Sequence, residues 1–213
     1  MYTGKIITFF EHKELVSGVC LGQHNDRILV LFGQGRQMHL GTSRIVHVSD
    51  DQLDITLPQP QLLQALQSRR ERQTKLLDQV CAEELWRAVG GTGQVCGFDM
   101  LARQAFKIPT DTDHVVALLR ALVHDGIYFK LQGNGFLAHT PAQVEKQQQK
   151  VRRAHERQQR ITEGTAWLCS VLAGAEKACP NRETYLGYLK SFVVDGKASA
   201  FYRDTVEIFA GAG

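Results

Sequence analysis

Apolar and polar positions along the chain change period twice. Over residues 4–49 the apolar side chains come in short β-rich runs, at 5–10, 15–21, 27–32, 36–40 and 44–48, and turn residues fill the breaks: Gln23-His24-Asn25-Asp26, Gly33-Gln34-Gly35 and Gly41-Thr42-Ser43. Five strands are predicted. In so short a stretch a flat sheet would leave one face wet and two edges open, so the pattern predicts a small barrel of SH3-like or OB-like type. Phe9, Phe10 and Phe32 fall at strand period and are expected in its core, a base-stacking face being the functional alternative.

After Pro58-Gln59-Pro60 the period becomes helical. Residues 61–80 contain no Gly or Pro and place Leu62, Leu63, Leu66, Leu76, Leu77 and Val80 at helical spacing, which predicts a connecting helix. Three further helices are predicted at 82–89, 98–106 and 112–125. They are closed by the Gly90-Gly91-Thr92-Gly93 turn, by Pro109 and by Gly126. Two β-like runs follow at 127–132 and 136–139, joined by Gly133-Asn134-Gly135, a hairpin signal.

Three helices and a hairpin give the order of a winged helix-turn-helix, whose third helix would read duplex DNA. Here that helix opens with Asp111 and Asp113 and has Arg120 as its only Arg or Lys, so phosphates would be repelled. The two carboxylates are expected as first-turn charges on the helix dipole, with Val115, Leu118, Leu119 and Leu122 on the buried face. A spacer or protein-docking module is the expectation, with DNA readout the lesser option.

The longest helical pattern runs over 141–172, interrupted only by Gly164. Within it Lys146, Lys150, Arg153, Arg157 and Arg160 recur at steps of four and three residues, which puts all five within roughly 80° of one another on the helix surface. Val144, Val151 and His155 lie nearly opposite as a weak apolar seam. Such a stripe can neutralise successive phosphates without reading sequence, and Gln147, Gln148 and Gln149 add hydrogen-bonding groups. It can equally be a solvated helix face. Two short helices are expected at 182–194 and 199–209.

The resulting class is α+β, with a small β-barrel over 1–57, a linker helix plus winged helix over 58–140, and a long basic helix with short helices over 141–213. Composition adds limits. Of 213 residues, 43% are hydrophobic and 22% charged, ordinary for a folded body and unlike a disordered or collagen-like chain. The net charge of +3 does not by itself announce a nucleic-acid binder, yet the excess is uneven: 141–213 holds 11 basic and 8 acidic residues, against 5 and 6 in 1–57. No apolar run is long enough to span a membrane and the N-terminus lacks a signal-peptide layout, so a cytoplasmic protein with no membrane partner is expected.

Catalytic signatures are missing from the pattern. There is no phosphate-binding P-loop, dinucleotide turn, zinc-protease helix or nucleophile elbow. Five cysteines without a C-x-x-C pair and eight scattered histidines predict neither a disulfide framework nor a zinc site, and the thiols are expected to be buried. Asp50, Asp51 and Asp54 form the nearest thing to a Mg²⁺-holding cluster, and are expected to be turn formers instead.

Four segments in order carry a resemblance: Gly4-Lys5-Ile6-Ile7-Thr8-Phe9-Phe10-Glu11; Ser43-Arg44-Ile45-Val46-His47-Val48-Ser49; Asp113-His114-Val115-Val116-Ala117-Leu118-Leu119-Arg120-Ala121-Leu122 with Tyr128-Phe129-Lys130; and Glu163-Gly164-Thr165-Ala166-Trp167-Leu168. Together they resemble the N-terminal region of a bacterial branch of the ribonuclease II (RNB) exoribonucleases. The resemblance implies an accessory, RNA-binding region that guides single-stranded RNA to a 3′–5′ exoribonuclease catalytic domain of the same parent chain, with clustered aspartates and Mg²⁺ confined to that domain.

No dense aspartate signature follows Trp167, so this chain is expected to be non-catalytic on its own, without a cofactor, as part of a longer enzyme or as a remnant. Its RNA contacts are assigned to Lys146, Lys150, Arg153, Arg157 and Arg160. A protein-interaction adaptor working through the winged helix is the rival from another class, and a DNA-binding regulator the third.

Overall fold

The computed structural model describes every residue except Met1, Thr92, Glu176 and Lys177. Thr92 in the expected turn at 90–93, and Met1 at the N-terminus tested for a signal peptide, thus lie outside the described residues. The protein is α+β, and its contacts divide it into two compact units, Met1–Glu145 and Lys146–Gly213.

The first unit opens with five antiparallel strands, β1 (Lys5–Glu11), β2 (Glu14–His24), β3 (Arg27–Phe32), β4 (Arg36–Gly41) and β5 (Ile45–Gln52), in the order β4-β3-β2-β1-β5. Register shifts in the β1–β5 and β2–β3 pairs bend the sheet. Ile7, Phe9, Cys20, Ile28, Val30, Phe32 and Leu40 fill one face, and the rings of Phe9 and Phe32 meet edge to face at 5.4 Å. Phe10 is only half-buried.

The expected closed barrel is not formed, since β4 and β5 remain edges that do not pair. The wet face that would drive closure is covered instead: Val19 and Leu31 pack against Leu62, with Leu63 and Leu66 beside it, all three leucines on helix α1 (Gln59–Leu77). A helix laid on the second face removes the apolar surface that curling would otherwise have to hide.

α2 (Ala82–Val89), α3 (Phe98–Phe106) and α4 (Thr112–Asp125) follow, then the hairpin β7 (Phe129–Gln132) and β8 (Gly135–Ala138). α2 and α4 end on Gly90 and Gly126 in the left-handed region. α3 ends on Lys107, also left-handed, two residues before the Pro109 expected to stop it. A short strand β6 (Val95–Gly97) pairs with β8, giving the order β6-β8-β7. Gly135 permits that pairing, because a Cβ there would lie 2.5 Å from the Cys96 carbonyl oxygen.

The core of this region centres on α4, whose Val115, Val116, Ala117, Leu118, Leu119 and Leu122 are buried. Asp111 is its N-cap, accepting from the His114 amide at 3.1 Å while the His114 ring reaches back in a reciprocal cap.

The second unit is built on α5 (Pro141–Leu172), which runs unbroken through Gly164, with α6 (Arg182–Asp195) and α7 (Tyr202–Ala212). Ile161, Trp167, Leu168, Tyr185, Tyr188 and Ile208 form its core. Gly164 sits in the helix because a Cβ would come within 2.7 Å of Ile208 Cδ1 and 3.0 Å of Tyr185 Cε1. Close approach of α6 and α7 is the reason for this glycine, which is not a break.

Candidate nucleic-acid interface

Lys146, Lys150 and Arg153 stand exposed on a section of α5 where Val151 is 51% exposed and His155 is exposed as well. The apolar seam expected opposite the stripe is therefore unpacked beyond Val144. Arg157 and Arg160 are placed differently, both being half-buried.

The Arg157 Nε donates to Asp204 Oδ1 at 2.7 Å and its Nη2 to Glu207 Oε1 at 2.8 Å, both carboxylates on α7. Glu207 foremost, then Asp204, raise the Arg157 pKa above its ordinary value. The Arg160 Nε is buried and has no hydrogen-bond partner among the described residues.

Helical geometry explains the split. Ile161, Gly164 and Leu168 fall within roughly 40° of Arg157 around the helix, and these residues form the face packed against α6 and α7. The stripe leads directly into a packing line. Three of its cations face solvent, and the fourth is committed to internal carboxylates.

A second basic cluster lies in the first unit, on α1, where Arg69, Arg70, Arg72 and Lys75 stand against a single Glu71. Asp113 of α4 is 3% exposed and receives Arg72 Nη2 at 2.7 Å, Arg69 Nη1 at 3.6 Å and the Gln73 Nε2 at 2.8 Å. Arg69 also reaches Asp51 at 2.8 Å. Asp113 lies in the first turn of α4, as expected, and is in addition a buried anchor between α1 and α4.

Arg120 of α4 is half-buried, and its Nε has no hydrogen-bond partner among the described residues. Burial pushes the Arg120 pKa down, the like charge of Arg70 pushes it further, and Asp113 opposes both. Arg70 and Arg120 line two adjoining cavities of about 350 and 770 Å³. Counting charge by chain segment missed this pair, since the excess on α1 cancels over 58–140. Counting by helix would have shown α1 to be strongly basic.

The carboxylates weighed for metal do not converge. Asp51 pairs with Arg69, and Asp54 accepts from the Thr56 hydroxyl at 2.7 Å and amide at 2.9 Å, bonds that hold its pKa below the ordinary value. Among the described residues no group of three or more His, Cys, Asp or Glu could hold a metal ion, and no helix is long and apolar enough to cross a membrane. Cys20 and Cys96 are buried, as expected of the thiols, whereas Cys81 and Cys169 are exposed.

No family model, curated protein or solved structure matches this chain. The site has to be read from its own geometry.

Proposed function

We propose that this chain binds single-stranded RNA without sequence preference and guides it toward a ribonuclease-II-like 3′–5′ exoribonuclease domain, in which the cutting step and its Mg²⁺ reside. Such a substrate implies a cytoplasmic setting. The observation that carries the reading is the solvent-facing row Lys146, Lys150 and Arg153, one turn apart on a helix section exposed nearly all round. Cations so spaced meet consecutive phosphates, and the absence of an interleaved aromatic makes the contact indifferent to base.

The fold lends support through the ribonuclease II resemblance. Strand order β4-β3-β2-β1-β5 with a 3₁₀ turn ahead of β5 supports an SH3-like reading of the sheet. The succession α2, β6, α3, α4, β7, β8, with β8 between β6 and β7, supports a winged-helix reading. Duplex DNA readout is disfavoured because α4, the helix that would enter the groove, is buried over most of its length.

Fluorescence anisotropy of the chain with a labelled single-stranded RNA tests the proposal. The three solvent-facing cations of α5 should contribute about 2 to the magnitude of the log-log salt slope, rather than the value near 3.5 that five would contribute. K146E/K150E/R153E should flatten that slope. No binding at low salt, or a slope untouched by the triple reversal, would overturn the reading.

A further inference from the structure

We propose that Arg70 and Arg120 form a second contact for the strand, a phosphate site in a trough that runs along α1 of the first unit. The proposal takes the identity of its ligand, a ribonucleotide strand, from the RNA reading. The anion site itself rests on separate observations.

The first is unbalanced charge. Arg69 and Arg72 are neutralised by Asp51 and Asp113, but no ion pair joins Arg70 or Arg120 to a carboxylate among the described residues. A half-buried guanidinium with an unmade hydrogen bond is costly, and a like charge beside it adds to the cost. The like charge is present: Arg70 is near enough to push the Arg120 pKa down. A tetrahedral oxyanion seated on both would supply acceptors to two forks of donors at once.

Shape supplies the second observation. The 350 Å³ cavity is lined by Ser17, Gly33, Leu63, Gln67 and Gln73, and the 770 Å³ cavity by Lys13, Leu77, Val80 and His124. Arg70 and Arg120 line both, so the two arginines stand where the cavities that make up the trough adjoin. From Leu63 to Leu77 it follows α1 for roughly 21 Å at helical rise. Lys13 adds another cation to the lining and Glu14 is its one acidic residue.

Gln73 supplies the third. It is 2% exposed, its Nε2 is given to Asp113, and its Oε1, left as an acceptor, has no partner among the described residues. The trough therefore offers donors for a phosphate and one buried acceptor for a hydroxyl, which is the pairing a ribose phosphate presents.

Two readouts separate this proposal from the α5 reading. In the first, inorganic phosphate is titrated into the full chain, and the ¹⁵N–¹H signal of the Arg120 Nε–H is followed. Saturable movement is expected, and its loss in R70A, an exposed position whose substitution leaves the fold alone. No movement overturns the site.

In the second, the K146E/K150E/R153E chain is titrated at low salt with a labelled oligoadenylate RNA and with its DNA counterpart. Residual RNA binding is expected, weakened about tenfold by R70A or R120Q, the loss that accompanies one charged hydrogen bond. DNA should bind less tightly than RNA in this background. Equal affinity for the two strands removes the ribose hydroxyl, and unchanged affinity in R70A removes the trough as a strand contact. A phosphate response without RNA binding by the unmutated chain overturns the RNA reading while the anion site stands.

Discussion

Arg157 in the second unit and Arg120 in the first are both half-buried guanidiniums on helices that pack along one face. Arg157 has two carboxylates within 2.8 Å, Asp204 and Glu207. Arg120 has Arg70 for a neighbour, and an Nε without a partner. By periodicity Arg157 belongs to a polyanion rail and Arg120 is a stray charge on an apolar helix. In the folded protein the roles exchange, because a cation is available to a ligand only when nothing internal has claimed it, and the claimants lie far away in sequence.

The strongest way to break this contrast is at Asp113, the carboxylate that separates the satisfied arginines of α1 from the unsatisfied one on α4. Asp113→Ala would leave the Gln73 amide unpaired at a buried site, leave Arg69 with Asp51 alone, and free Arg72, which is 59% exposed on its side chain. Breaking a buried pair costs several kcal/mol, and the exposure of Arg72 reduces that, so about 2–3 kcal/mol is expected as a lower urea midpoint of the first unit. A loss below about 0.5 kcal/mol would mean that α1 and α4 are held by Leu76 and Val80 on the apolar core rather than by charge.

A smaller effect is expected where the stripe of α5 becomes a packing line. Gly164→Val puts branched carbon where even a Cβ lies 2.7 Å from Ile208 Cδ1, and overpacking of this kind costs about 1–3 kcal/mol. Thermal unfolding followed at Trp167, which is stacked on Tyr185 at 5.8 Å, would report it. An unchanged midpoint would show that α6 and α7 do not hold that face of α5, and would return Arg157 and Arg160 to the rail.

How much of this was legible beforehand follows from the range of the interactions concerned. The five strands and the helices at 82–89, 98–106 and 112–125 are written in local periodicity and turn residues, and they stand within a few residues of where the pattern puts them. β6 was not legible, since Val95-Cys96-Gly97 is too short to show a period and exists only by pairing with β8. Barrel closure does not follow from the strand pattern, because the cover for the second face comes from Leu62 and its neighbours, on a helix whose local pattern marks only a connector. At the site, the spacing from Lys146 to Arg160 was readable, but the claim of Asp204 on Arg157 spans 47 positions and has no local signature. Arg120 could be noticed as the lone cation of its helix, but not as a partner of Arg70.

A third buried group resolves unbalanced charge in another way, and it gives the mildest of the expected effects. His47 on β5 is half-buried, its Nδ1 has no hydrogen-bond partner among the described residues, and its ring meets that of Phe98 at 6.4 Å. Unlike an arginine it can discard its proton. Burial pushes its pKa below the ordinary value of 6.5, against the opposing pull of Asp99 and Asp50. The unfolded chain then binds the proton more readily than the folded one, so stability is complete above the unfolded value and falls as pH drops below it toward the depressed folded value.

His47→Gln keeps a polar side chain of similar reach that does not titrate. Urea midpoints measured from pH 7.5 down to pH 5 should therefore decline less steeply for the variant than for the parent chain. Parallel profiles would mean that His47 keeps its proton inside, held by Asp99 and Asp50. It would then join Arg157 among the cations that the fold has paired internally, and Arg120 would stand apart from it in the first unit as a charge that calls for a ligand.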